Sequence, residues 1–479
     1  MAAVGLLTSS AAATALLVLT VEHPRPASFL PLVFVAFGGL LTVALVPALR
    51  AAITFAVVAV LTAAVLIVAV VPQPPLGADL WVYAIYGRTI VDHGESPYVH
   101  PPGDFPDDPW VDELWLYRDA RNFYGPVFIA KAAAIAAIGG DSRLVVRLLY
   151  QVGAAVAVMA SLVLLVRAGA PVAAAALFSL NPVVIVEVVS QGRMDAEIGL
   201  ALLVGALCAS RRHPHVAAVA IAAAALVKLP AALALVALVA WTYRRDGARR
   251  AGTVTAVSVG AIVLGYLAAG GADALRPLID VRTATNDVNI WVLVRENGLA
   301  RFFGDVNVEL GALGPITTIA SVATLALSAL LVLSRWDDDD PTLVLALPVL
   351  AYMLTSTYPS SWYVGWILPL LALRCRSNAA RVALALSALL FIRQTYFAAA
   401  YIEQNLAAGE GVVAPLQDDL LSALYPAAIT LEVVAIVVLV VDAVRRRSGQ
   451  DRDRPPRQQG VAGRAHRRSL PSTAEVSTT

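Results

Sequence analysis

The feature that most limits how this chain can fold is the recurrence of apolar runs about as long as a bilayer is thick. A helix needs ~20 apolar residues to cross ~30 Å of hydrocarbon. Candidate runs lie at 4–21, 29–49, 51–71, 144–166, 170–188, 195–210, 214–243, 251–270, 311–334, 341–357, 361–374, 379–399 and 421–444. The run 124–138 is shorter and carries Lys131, which suits an interfacial or re-entrant position. The 479 residues are 59% apolar and 14% charged, where a soluble chain is nearer half and a quarter. That composition excludes disorder, a nucleic-acid binder and a disulfide scaffold. It leaves an all-α polytopic membrane protein of about 13–14 helices, with a polytopic unit over residues 1–444. Residues 4–21 read as a first membrane helix rather than a signal peptide, since no Lys or Arg precedes them and the run is long for an h-region. Cys208 and Cys375 show no ligand spacing and receive no redox or metal role.

Charge asymmetry orients the bundle. Residues 445–479 hold nine arginines against three acids, the pattern of a basic, disordered cytoplasmic tail. Residues 72–123 hold nine acids and three arginines, as an extracytoplasmic loop does; three helices precede them, so the N-terminus is inside. The run 214–243 is flanked by Arg211-Arg212 and Arg244-Arg245 and carries Lys228-Leu229-Pro230 at its centre. Pro lacks an N–H and breaks a helix. Two short helices meeting near Lys228 on the outer side fit the charges; one long, tilted, proline-kinked helix fits the run equally well. With the break, loops 72–123, 189–194, 271–310, 357–361 and 400–420 fall outside, and those at Arg167, Arg211, Arg244, Arg335 and Arg374–Arg376 fall inside.

The outer loops carry the candidate chemistry. Asp79 follows the third helix directly, and in a helix over 79–91 it shares a face with Tyr83, Tyr86 and Ile90. A carboxylate beside aromatic surface can act as a general base toward a hydroxyl; an N-cap Asp with an interfacial aromatic belt explains the same residues. Arg88 and Asp92 have the spacing of a plain i,i+4 pair. His93 and His100 stand alone in a solvated loop, where histidines are seldom ligands. Tyr98 and Tyr124 follow in Pro- and Gly-rich surroundings. A second cluster is Asn181-Pro182, Glu187 and Gly192-Arg193-Met194-Asp195. Asp195 suits an N-cap, whereas Glu187 lies near the end of an apolar run, where ionisable groups are expensive and tend to be functional. Arg193 could meet a phosphate in a bidentate way. Lys228 in mid-run would cost ~3 kcal/mol on an insertion scale; at a break the cost falls and an anion site becomes plausible. Tyr358, Trp362 and Tyr363 suit either an aromatic belt or sugar stacking. Loop 271–310 adds Arg282, Asn286, Asp287, Arg295 and Arg301 around an apolar stretch, as an amphipathic flap over a lipid would.

In this order the fragments resemble the GT-C superfamily of polyprenol-phosphate-sugar-dependent glycosyltransferases. They are most similar to the actinobacterial α-mannosyltransferases of lipomannan and phosphatidylinositol mannosides. The resemblance is carried by Asp79 with Tyr83 and Gly87-Arg88, by Gly94-x-x-Pro97-Tyr98 and by Tyr124-Gly125-Pro126. It continues through Asn181-Pro182, Gly192-x-x-Asp195 and Val227-Lys228-Leu229-Pro230, covering about 75–245. The sequence departs from the family where a His or Asn is expected near Arg193-Met194.

The resemblance implies a GT-C-like bundle with extracytoplasmic catalytic loops in the plasma membrane, and no metal or other cofactor. It implies a polyprenyl-phosphate mannose donor, a lipid-linked glycan acceptor, membrane lipids and no nucleic acid as partners. Asp79 would be the base of an inverting transfer. The leaving phosphate needs cations, for which Arg88, Arg193, Lys228 and Arg282 are the candidates. Tyr83, Tyr98, Tyr124, Glu187, Asp195, Tyr358, Trp362 and Tyr363 are the candidates for sugar or acceptor contacts. Arabinofuranosyl transfer from a decaprenyl-phosphate donor is the first alternative. A lipid or solute transporter is the second, disfavoured because the charges gather at one face instead of at mid-bilayer.

Overall fold

The computed structural model describes residues 1–20, 26–74, 79–111, 114, 117–281, 290–293, 313–406 and 414–453. All regular secondary structure among them is helical. The chain runs through Ala2–Thr20 (α1), Pro26–Leu45 (α2), Pro47–Ala51 (α3), Phe55–Ala69 (α4), Asp79–Val91 (α5), Pro126–Gly139 (α6), Arg143–Arg167 (α7) and Val172–Ser179 (α8). It continues through Asp195–Ser210 (α9), Pro214–Ala225 (α10), Leu233–Asp246 (α11), Ala248–Ala268 (α12), Ala272–Val281 (α13) and Ile290–Leu293 (α14). Leu313–Ser334 (α15), Pro341–Thr355 (α16), Val364–Leu373 (α17), Asn378–Leu406 (α18) and Ala414–Asp453 (α19) complete the order. Arg282 and most of the expected flap lie outside the described residues, as do 454–479 of the tail.

Six of these helical stretches are long and apolar enough to cross a membrane, and several shorter apolar helices pack among them. The protein is an all-α polytopic membrane protein. Burial separates the centre from the rim: 94% of the apolar window in Val172–Val189 is buried, against 22% in Ala248–Ala268. The first is therefore a core element and the second presents its side chains outward to lipid. Helix α9 packs against α7, α10 and α17 and forms the spine on which the site is built.

Two irregularities matter for that site. The run expected as one helix over 170–188 stops at Ser179, turns at Asn181-Pro182 and resumes as a π-helix over Val183–Val189. Asn181 holds the restart, its side-chain oxygen accepting from Val183 N–H at 3.0 Å. A π turn inserts an extra residue per turn and is common at functional sites; here it carries Glu187.

The run 214–243 is likewise split, into α10, a 3-10 turn over Leu229–Ala232 and α11. Lys228 at the break is extended, with φ −137° and ψ 117°. Both halves lie along α12. His215 Nε2 is 2.8 Å from Thr253 Oγ1, and Arg250 donates to the carbonyl of Arg212 at 3.2 Å. Arg244 and Arg245 lie in the last turn of α11, just before α12 begins, so the two arginine pairs sit at the same end of the bundle. A single kinked crossing is thereby excluded. Each half, of 12 and 14 residues, spans only ~18–21 Å at ~1.5 Å per residue.

The arginine end is tied together by further contacts. Arg244 and Arg245 donate to the carbonyls of Asp338 and Asp339 at 3.1 and 2.8 Å, Arg335 pairs with Asp442 at 3.2 Å, and Arg374 pairs with Asp340. The opposite end gathers α5 and its loop, the Gly192-Arg193 turn, the Lys228 break and residues 356–363.

Candidate active site

Three backbone devices bring the second end together. Gly125 N–H donates to the Val227 carbonyl at 2.9 Å, and Val127 N–H to that of Leu226 at 3.0 Å. A Cβ on Gly125 would lie 2.1 Å from the Leu226 oxygen, so only glycine lets the start of α6 clasp the break that carries Lys228. Gly192 has φ +63°, a left-handed value that suits glycine; its turn sets Arg193 between two elements. Asn122 closes the third device. Its side chain accepts from Tyr124 N–H at 3.1 Å and donates to the Tyr124 carbonyl at 3.0 Å, fixing that ring.

Arg193 is the hub of a buried cluster. Its Nε donates to Asp79 Oδ2 at 2.9 Å; its Nη1 donates to Glu187 Oε2 at 2.8 Å and to the Glu187 carbonyl at 2.6 Å. The guanidinium lies 3.7 Å from the centroid of the Trp362 ring. Burial works against the Arg193 charge, but the carboxylates of Asp79 and Glu187 outweigh it and raise its pKa above the ordinary arginine value. Tyr83 sits on the other side of Asp79, its hydroxyl 3.5 Å from Oδ2 and 3.3 Å from that of Tyr124. Oδ2 is thus the held oxygen of Asp79. Oδ1 has no hydrogen-bond partner among the described residues, and Asp79 lines a cavity.

A second pair faces the same cavity. Lys228 Nζ donates to Asp195 Oδ1 at 3.0 Å, and that oxygen also accepts from the Trp366 indole at 2.6 Å. The ammonium lies 5.0–5.6 Å from the ring centroids of Tyr363, Tyr124 and Trp366, within reach of cation–π attraction. Asp195 is fully buried, with Oδ2 unpartnered among the described residues. It acts on Lys228 from behind.

The cavity has a volume of about 1080 Å³. Asp79, Tyr124, Lys228, Tyr358, Trp362 and Tyr363 line it. An arm between α11, α13 and α15 is apolar, with Leu233, Val236, Pro277, Leu278 and Leu325. Val236 and Leu325 are 69% and 60% exposed, so this arm opens sideways toward lipid. The rest of the lining is mixed, with Asp119, Arg121 and Ser356 beside Pro101, Phe123 and Leu229.

The remaining expectations separate cleanly. Of the four phosphate candidates, Lys228 lines the cavity. Arg193 stands behind Asp79 and Trp362. Arg88 lies elsewhere, bonded to Asp108 at 3.0 Å, Asp141 at 2.9 Å and Asp92 at 3.1 Å over the ring of Trp110. That ion cluster braces the outer loop, so the simple i,i+4 pair with Asp92 is only one part of it. Arg282 falls outside the described residues. Among the sugar candidates, Glu187 and Asp195 are buried positioning groups, and Tyr83 stands one hydroxyl behind the wall. Tyr98 is a staple, donating to the Tyr124 carbonyl at 3.0 Å. Three contributors were not singled out as site residues. Trp366 anchors Asp195 through its indole N–H. Tyr117 lines the cavity, and the negative charge of Asp79, with burial, holds its phenol above the ordinary value. Glu197, on the helix that also carries Asp195, meets Lys131 in an ion pair beside Gly153. The i,i+2 spacing from Asp195 did not signal it, since residues so spaced on a helix do not share a face.

Residues 2–244 match the family described as alpha-(1->6)-mannopyranosyltransferase, N-terminal domain. The chain belongs to this family. No curated protein matches it. Among solved structures, the archaeal oligosaccharyltransferase AglB from Archaeoglobus fulgidus, in complex with an inhibitory peptide and a dolichol-phosphate, is similar at 12% identity and a TM-score of 0.37. That match covers 81% of this chain and 56% of AglB, so the chain spans little more than half of that protein's length. This chain is thus a polytopic membrane member of a mannosyltransferase family. Asp79, Glu187, Arg193, Asp195 and Lys228 fall inside the matched segment, whereas Tyr358, Trp362, Tyr363 and Trp366 come from beyond it.

Proposed function

We propose that the protein transfers a mannosyl residue from polyprenyl-phosphate mannose to a lipid-linked glycan acceptor on the outer face of the plasma membrane. Residues 1–444 form the catalytic unit and the basic segment 445–479 lies in the cytoplasm. The observation that carries this reading is one cavity with Asp79 and Lys228 on its wall and an apolar arm open to lipid.

The groups suit an inverting displacement. The acceptor hydroxyl attacks C1 of the donor mannose while Asp79 Oδ1 takes its proton. The C1–O bond to phosphate breaks, and the electron pair leaves with the polyprenyl phosphate. Lys228 offsets the charge that develops there. A β-linked donor then gives an α-glycoside. Arg193 and Tyr83 hold Oδ2, which leaves Oδ1 to meet the acceptor. Asp195 and Trp366 keep the ammonium aimed at the cavity, the polyprenyl chain occupies the apolar arm, and Trp362 with Tyr363 offers ring faces to the sugar.

Transfer of radiolabelled mannose from polyprenyl-phosphate mannose, in membranes containing the wild type or Asp79→Ala, tests this. Transfer by the wild type and its loss in the variant are expected. Equal transfer by both would sink the base assignment, and arabinose movement without mannose would replace the donor.

A further inference from the structure

We propose that Asp119 and Arg121 form a glycan-binding subsite at the aqueous mouth of the cavity, and that the acceptor reaches Asp79 past them. The proposal rests on the transferase reading above and adds residues that bind the acceptor, to which that reading gives only the base Asp79.

The lining changes character along its length. Beyond Asp79, away from the apolar arm, the wall is made by Pro101, Tyr117, Asp119, Arg121 and Phe123. Asp119 and Arg121 are both exposed. Neither has an ion-pair partner among the described residues, whereas the buried Arg88, Arg193 and Asp195 are all paired. One mouth thus opens to lipid through Val236 and Leu325, and the other opens to water through a carboxylate and a guanidinium.

This stretch of loop is held firmly although it is exposed. Gly103 N–H donates to the Arg118 carbonyl at 2.7 Å, the Tyr86 hydroxyl to that of Ala120 at 2.9 Å, and Asn122 N–H to that of Pro97 at 2.8 Å. Three alternate positions, Arg118, Ala120 and Asn122, are therefore pinned to α5 and to the loop that follows it, on either side of the two side chains. A subsite that is already ordered loses little entropy when its ligand arrives.

The chemistry selects a neutral glycan. Sugar hydroxyls both donate and accept. A carboxylate accepts, a guanidinium only donates, and together they match a diol without net charge. A phosphate headgroup would meet Arg121 but be repelled by Asp119. Phe123 and Pro101 offer apolar surface to the C–H face of a ring. Because this mouth is open, the end of a glycan can enter while the rest of its chain stays in water, so the site accepts long acceptors as readily as short ones.

The test uses the full chain in nanodiscs, with Asp119→Asn, which is nearly isosteric, and Arg121→Gln. Each is expected to raise KM for a lipid-free α-(1→6)-mannotriose about tenfold, the scale of one charged hydrogen bond. Donor KM stays put and kcat holds within about twofold. Binding of the mannotriose without donor, read by ligand-observed NMR, should weaken in parallel. If the wild type transfers mannose and both variants keep acceptor KM and binding, the subsite is overturned and the transferase reading stands. If the wild type binds mannotriose and the variants lose it, yet no mannose is transferred, the subsite stands and the donor reading falls.

Discussion

Two arginines mark the ends of helix α5, Arg193 packed on its first residue and Arg88 in its last turn, and each is surrounded by carboxylates and lies over an indole. Arg193 meets Asp79 and Glu187 above Trp362; Arg88 meets Asp92, Asp108 and Asp141 above Trp110. Their parts are alike, and what differs is the use left to the carboxylates. Asp108 has a side chain 1% accessible and is fully engaged, accepting from Trp110 N–H at 3.0 Å and from Arg88, with His93 at 3.2 Å. Asp141 is 90% exposed, in solvent. Asp79 keeps one oxygen spare on a cavity wall. An ion cluster becomes a candidate site when one of its members is held by one atom and left open at another.

The largest effect should come from breaking that asymmetry at its open atom. Asp79→Asn is expected to lower kcat about a hundred- to ten-thousand-fold, the usual worth of a general base. Asp108→Asn should leave kcat of the folded fraction unchanged in the same membrane assay.

Removing the hub separates the clusters next. Arg193→Gln removes the cation shared by the half-buried Asp79 and the buried Glu187, which costs up to about 3–5 kcal/mol for a broken buried pair. A clear drop in thermal midpoint in detergent is the measurement, and Arg193→Lys should not restore it, because an ammonium lacks the planar fork. Arg88→Gln should cost less, about 1–3 kcal/mol, since two of its three carboxylate partners reach solvent.

Lys228→Gln probes the cavity's other wall. It should raise donor KM and lower kcat while leaving the acceptor KM near wild type, in steady-state assays varying one substrate at a time. A change confined to acceptor KM would move the phosphate to another cation.

The smallest expected effect is an acid one. Burial pushes the Asp108 carboxyl up, but the Trp110 N–H, Arg88 and His93 outweigh it, so its pKa lies below the ordinary carboxylate value. A lowered pKa adds stability that is present above about pH 3.9 and is lost as pH falls through the lowered value. The stability gap between wild type and Asp108→Asn should therefore be full at neutral pH and shrink below about pH 3.9. A gap that does not change with pH would mean that the carboxylate charge is not what braces the loop.

Much of this was readable beforehand in particular residues. Pro230 and the two flanking arginine pairs pointed to a broken helix, because a proline cannot donate and a short helix pair returns its charges to one end. Asp79 stood out because it follows a membrane run directly, beside aromatic residues. The partner of Arg193 was not readable: Asp79 is 114 positions away, and an arginine after a glycine turn serves phosphate or carboxylate equally well. The surroundings of Arg88 were not readable for the same reason, since the Asp108 and Asp141 that pair with it are separated from it by a loop and a helix.

By itself the sequence determined the solvent, the helical class and the end of the bundle where charge collects, because hydropathy and proline act over one turn or one span. Only the tertiary structure decided which of the candidate phosphate-binding cations faces the cavity, which oxygen of Asp79 is spare and which carboxylates are consumed. Those depend on distances between segments far apart in the chain, and a buried charge takes its role from whichever partner the packing brings within about 3 Å.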